Sequence, residues 1–154
     1  MEIERKMAAL GLALPTPPKP AAHYIPYVRV GNLLFVGGNT GRLNGEPHTY
    51  VGKVGDQVTL HQAYEMARHC ALNHLAIIKS AAADLDRVER FVKLIGYVNV
   101  APGFTQMPQV VNGASDLLVE LWGDRGEHAR AAVGVASLAN DAPVETEVIV
   151  QLKD

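Results

Sequence analysis

A chain of 154 residues at net charge −2, with 48% hydrophobic and 19% charged residues, has the composition of one ordinary globular domain large enough to bury a core. No Lys/Arg run marks a nucleic-acid surface, no acidic block marks a tail, and no apolar run approaches the ~20 residues that cross a bilayer. The single cysteine, Cys70, excludes an internal disulfide framework and fits a reducing compartment, so a cytoplasmic protein is the expectation.

The opening MEIERKMAALGLALP mixes charges of both signs with a short, glycine-interrupted apolar run, unlike a secretory leader. Ile3, Met7 and Leu10 recur at helical spacing and predict a short amphipathic helix over Glu2–Leu10. Pro15–Pro20 (PTPPKP) then forbids helix and favours extended polyproline geometry. Residues 1–22 are therefore read as a helix and strap added to a single domain over 23–154. Tyr27–Val30 and Leu33–Val36 flank Gly31-Asn32, a tight-hairpin signal because both residues tolerate positive φ. Gly37-Gly38-Asn39-Thr40-Gly41 follows. Such a run after a strand can cradle a phosphate, but no GxGxxG or GxxxxGK[ST] pattern is present. The plainer reading is a tight turn or bulge exposing backbone N–H groups. Arg42–Asp56 reads as a polar loop with one short strand around Val51–Val54.

Thr59–Ala81 is the clearest helix. Thr59 and Gln62 form a capping-box pair, and Ala63, Met66, Ala67, Cys70, Ala71, His74, Ile77 and Ile78 make its apolar stripe. On that stripe Cys70 is a packing residue rather than a nucleophile, and His74 a satisfied buried histidine rather than a ligand. After a turn at Asp84–Asp86, Val88–Val100 alternates and is rich in β-branched and aromatic residues, a strand ended by Pro102-Gly103. A second helix runs from about Pro108 to Trp122, with Gly123 where a helix-ending glycine belongs.

Two strand-like runs joined by a polar turn close the chain. Each has one aliphatic face: Val133 and Val135 in the first, Val144, Val148 and Val150 in the second. Opposite the first lie Arg130, Ala132, Gly134 and Ala136, a bare face that suits close approach of another backbone or a small ligand. Opposite the second lie Glu145 and Glu147. The order β-β-(β)-α-β-α-β-β predicts an α+β two-layer sandwich, a mixed sheet with two long helices on one face. No helix remains to cover the second face, so another subunit is expected there.

The six histidines show no i,i+4 pair and no HExxH or CxxC spacing, so no metal site is expected. No GxSxG elbow marks a serine nucleophile. What remains is Arg130 with Glu145. A guanidinium fixed on a strand grips a carboxylate bidentately, and a nearby carboxylate can hold a water and take its proton. The competing reading is a plain ion pair between neighbouring strands.

The run Arg130-Ala-Ala-Val-Gly-Val-Ala-Ser-Leu138 followed by Val144-Glu145-Thr-Glu147 resembles the signature of the RidA family. These are the YjgF-type reactive intermediate deaminases, also labelled L-PSP endoribonucleases. Pro26-Tyr27-Val28 to Gly31-Asn32-Leu33-Leu34-Phe35-Val36-Gly37-Gly38 resembles the family's first motif, and the likeness covers roughly residues 24–152. It implies a chorismate-mutase-like fold and a homotrimer whose sheets form a central barrel with clefts between subunits. It also implies a cofactor-free reaction on a small carboxylate-bearing imine such as 2-iminopropionate, giving ammonia and a 2-keto acid. By position, Arg130 would clamp the carboxylate and Glu145 would hold the attacking water. Tyr27, Gly38 and Asn112 would complete substrate binding. Ala132 stands where the family often has cysteine, and the segments 112–117 and 123–130 suggest a subgroup with its own pocket. A non-catalytic carboxylate binder is the main alternative. RNA cleavage and a chorismate-mutase-like reaction rank lower, since each needs more cations than the chain gathers.

Overall fold

The computed structural model describes residues 1–154. Its longest helix, α2 (Leu60–Ala82), begins where the capping pair predicts: Thr59 Oγ1 accepts from the Gln62 N–H at 3.1 Å, and Gln62 Oε1 accepts from the Thr59 N–H at 3.0 Å. Ala83, at φ +67, ends it. The second long helix, α3 (Met107–Trp122), carries Pro108 in its first turn and stops at Gly123, φ +58. The two helices touch through Gly113, where an added Cβ would lie 2.0 Å from the Tyr64 carbonyl oxygen. Neither is long and apolar enough to cross a membrane.

Five strands form one sheet: β1 (Tyr27–Val30), β2 (Leu33–Asn39), β3 (Val88–Asn99), β4 (Ala129–Val135) and β5 (Val144–Leu152), in the order β1-β2-β5-β3-β4. Every neighbouring pair is antiparallel except β3–β4, which is parallel. In the β1–β2 turn Gly31 alone takes positive φ, +59, while Asn32 does not. The glycine run resolves as a bulge: β2 continues through Gly37 and Gly38, and its register against β5 shifts between Val36 and Asn39. Arg42–Asp56 holds no strand; Val54 makes only isolated bridges to Val58 and Val100.

The two C-terminal strands are not neighbours, contrary to the expectation of a pair. Helix α3 carries the chain from β3 back over the sheet, so β4 lands parallel on the outer side of β3. β5 then fills the gap between β2 and β3. The small-residue face of β4 is also placed differently. Arg130, Ala132 and Gly134 share rows with Leu94, Gly96 and Val98, all on the helix side of the sheet. A Cβ on Gly134 would meet Val100 at 3.0 Å, so the bare face admits the β3–α3 connection rather than a second subunit.

On the helix side, Leu34, Val36, Leu94, Val98, Val148 and Val150 are buried with α2 and α3 in one core. The other side carries no helix, and Val28, Phe35 and Val133 stay exposed there, by 50%, 41% and 43%. The short N-terminal helix α1 (Glu2–Ala9) belongs to the same core through buried Ile3 and Met7. Its free N–H groups at Glu2 and Ile3 donate to the Asp86 carboxylate at 2.6 and 2.9 Å, and the Met1 ammonium lies 2.6 Å from the same group. Beyond it, Lys79 and Glu4 form an ion pair at 2.7 Å.

His74 ties α2 to β5. Its Nε2 lies 2.8 Å from Thr146 Oγ1 and 3.0 Å from the Thr146 carbonyl oxygen, while Nδ1 has no partner. Complete burial pushes its pKa down to about 4, so the ring is neutral near pH 7.

Two outcomes follow from this packing. Gly113→Ala forces α2 and α3 apart and should cost about 1–3 kcal/mol in urea unfolding, with the fold retained. As pH falls below ~6.5 the unfolded chain protonates His74 first, so stability present above that value is lost between ~6.5 and about 4. Between pH 7 and 5 the wild type should therefore lose stability faster than His74→Gln, by at most about 1.4 kcal/mol per pH unit; equal slopes would refute the assignment.

Candidate functional site

α3 presents three oxygen acceptors along one stripe, at Pro108, Asn112 and Ser115, spaced i, i+4, i+7. β4 lays Arg130 across them. Arg130 Nη1 donates to Asn112 Oδ1 at 2.7 Å and to Ser115 Oγ at 3.1 Å, and Nη2 reaches the Pro108 carbonyl at 3.4 Å. Ser115 Oγ in turn lies 2.9 Å from His128 Nε2, and His128 Nδ1 donates to the Gly126 carbonyl at 2.6 Å. No carboxylate lies within 4.0 Å of the Arg130 guanidinium. Its Nε–H and one Nη2 N–H are left without a partner, and these two form the edge that grips a carboxylate bidentately.

Glu145 is the second pole. Thr146 is turned to His74 on the helix side, so strand alternation turns Glu145 to the open side of the sheet. Burial first, and the charge of Glu147 second, push the Glu145 pKa above the usual carboxylate value. A Cβ on Gly38 would fall 2.2 Å from Glu145 Oε1, so the second glycine of the bulge is what leaves room for this carboxylate. Glu145 and Gly38 line a cavity of about 620 Å³ roofed by the strap residues 16–21 and Tyr24 and flanked by Arg42 and Asn140. The loop bearing Asn140 is pinned from beneath: Lys53 Nζ donates to Asn99 Oδ1 at 2.9 Å, and Asn99 Nδ2 donates to Asp141 Oδ1 at 3.0 Å. Asn140 and Asp141 both sit in the left-handed region, at φ +56 and +54.

The sequence-derived residues thus fall into two groups. Arg130 and Asn112 are in direct contact, and Gly38 and Glu145 are in direct contact. Tyr27 stands apart from both, half-buried against the core at the rim of a second cavity of about 290 Å³ shared with Phe35, Ile95 and Glu147. The ion pair between Arg130 and Glu145 does not form. β3 lies between their strands, and Arg130 is on the row of Leu94 while Glu145 is on that of Tyr97, on opposite faces. Ser115 and His128 lie in the segments 112–117 and 123–130 that the sequence marks as a distinct pocket, but neither of them, nor Tyr24, is singled out there. The first two had a legible signal: Ser115 is one helical turn beyond Asn112, and His128 is two residues before Arg130 on the same side of the strand. Tyr24 owes its place to the path of the strap, which no local pattern encodes.

The model of the family described as "YjgF/chorismate mutase-like, putative endoribonuclease" matches residues 4–144. Protein TCP17 of Trypanosoma cruzi is 39% identical over 153 residues, covering 99% of this chain and 95% of that one. Among solved structures, protein Atu1372 of Agrobacterium tumefaciens, described as of unknown function, is 40% identical with a TM-score of 0.91, over 98% of this chain and 92% of that one. A structure from Shewanella oneidensis, described as a "putative endoribonuclease", is 30% identical with a TM-score of 0.94, over 99% and 100%. With the alternating Arg130 and Glu145 strands in place beneath two helices, the chain belongs to the YjgF/chorismate mutase-like family.

Proposed function

We propose that this protein hydrolyses small carboxylate-bearing imines and enamines, of the 2-iminopropionate type, to 2-keto acids and ammonia without a cofactor. One observation carries the reading: Arg130 is a cation held by three neutral acceptors, with an unoccupied bidentate edge and no acidic partner. A structural ion pair needs a carboxylate there; a carboxylate-binding site needs none.

The substrate carboxylate docks on the Nε/Nη2 edge of Arg130, which aligns the C=N carbon. Glu145 takes a proton from a water whose oxygen adds to that carbon, giving a carbinolamine. The nitrogen is protonated, the C–N bond breaks with its electrons going to nitrogen, and ammonia leaves as the C=O forms. A raised Glu145 pKa suits a group that accepts this proton and returns it.

A single chain holds Arg130 and Glu145 on opposite faces of its sheet, so the reading requires Glu145 to meet the Arg130 of another copy. A homotrimer with its sheets turned inward supplies such clefts and covers the exposed Val28, Phe35 and Val133. The setting proposed is cytoplasmic, in keeping with the single cysteine. Against RNA cleavage stand the net charge of −2 and a sequence without any Lys/Arg run. A carboxylate-binding protein without turnover would share the Arg130 geometry but would not need an ionisable Glu145.

Keto-acid release from an enzymatically generated imino acid should fall at least about a hundredfold in Arg130→Ala, and equal rates would reject the proposal. Catalysis needs Glu145 ionised, so the rate should drop as pH falls through its raised pKa. Glu147→Gln removes a like charge and should move that acid limb to lower pH. An unmoved limb would show that Glu145 does not set it.

A further inference from the structure

Ser115 and His128 have no place in the reaction above, yet they are joined to Arg130 in a single chain of short contacts. The direction of that chain is fixed from its far end. A carbonyl oxygen only accepts, so the 2.6 Å contact to Gly126 requires the proton on His128 Nδ1. Burial lowers the His128 pKa, so at neutral pH the ring carries this one proton and Nε2 is an acceptor. The only donor facing Nε2 at 2.9 Å is the Ser115 hydroxyl. With its hydrogen committed to Nε2, Ser115 Oγ can offer Arg130 only a lone pair, and Nη1 donates to it at 3.1 Å.

We propose that Ser115 and His128 are positioning residues for the carboxylate clamp: His128, locked as its Nδ1–H tautomer, orients the Ser115 hydroxyl so that it holds Arg130 with its Nε/Nη2 edge open to substrate. This rests on the reading of Arg130 as the clamp. A freely rotating serine hydroxyl could point its hydrogen at the guanidinium and repel it; the imidazole removes that state. Together with Asn112 it occupies both Nη1 hydrogens, leaving the opposite edge as the place for an acid. Residues 112–115 supply the helix partners of this chain of contacts and residues 126–130 its strand partners.

The test uses the whole protein, pyruvate as the binding probe in calorimetry, and imino-acid hydrolysis for the kinetic split. Ser115→Ala should weaken pyruvate binding and raise KM by about tenfold while kcat stays within about twofold. Ser115→Thr, which keeps the hydroxyl, should restore both to within about threefold. ¹⁵N spectra of the wild type should show neutral His128 protonated at Nδ1 and, in Ser115→Ala, the same tautomer retained. A proton on Nε2 would overturn the proposal whether or not any His128 variant folds. If Arg130→Ala abolishes pyruvate binding while Ser115→Ala and His128→Gln bind like wild type, the positioning role falls and the clamp stands. If Arg130→Ala itself binds pyruvate like wild type, the clamp falls and takes this inference with it.

Discussion

The crossover of α3 from β3 to β4 is the constraint on which the arrangement of functional groups depends. A helix-length connection returns the chain to the same end of the sheet, so β4 must run parallel to β3. That choice puts the helix-facing row of β4 against α3, and Arg130 is on that row. It also leaves the slot between β2 and β3 for β5, which carries Glu145 on the reverse side. The same topology that gives Arg130 its three acceptors therefore separates it from Glu145. Under the proposed function, completion of the site becomes a matter of assembly.

Each pole is held by a device that locates a charge without neutralising it. Around Arg130 the partners are an amide, a hydroxyl and a carbonyl, which fix the guanidinium yet leave its charge uncompensated. Around Glu145 the devices are steric and electrostatic. Thr146, bonded to buried His74, sets the strand's facing, Gly38 clears the space, and Glu147 with partial burial holds the proton affinity high. The strap over residues 16–24 roofs this second pole, and it is tethered to the core by α1, whose Ile3 and Met7 are buried. The anchor of that helix is the Asp86 carboxylate, which accepts from the Glu2 and Ile3 N–H groups.

Much of the fold was legible because its signals are local and periodic. The capping box at Thr59, the stripe from Ala63 to Ile78 and the alternation of Val88–Asn99 are each set by neighbouring residues, and the structure places these elements within a residue or two of expectation. Strand order is a different kind of information. Nothing within 128–154 records that β3 will slip between the two final strands; that follows only from where α3 lays the chain down. The bare face of β4 was a true signal of close approach, assigned to the wrong neighbour because the β3–α3 connection is a long-range partner. Arg130 and Glu145 stood out as lone charges on apolar strands, whereas Ser115 and His128 acquire meaning only once α3 and β4 are brought side by side.

The proposed working site takes its arginine from one chain and its glutamate from another. Assemblies formed by mixing Arg130→Ala and Glu145→Gln subunits, each inactive alone, test it most directly. In a random mixture of equal amounts about one site in four draws an intact Arg130 and an intact Glu145 from different subunits, so activity should return to about a quarter of wild type. No recovery in mixtures shown to have exchanged subunits would contradict the account.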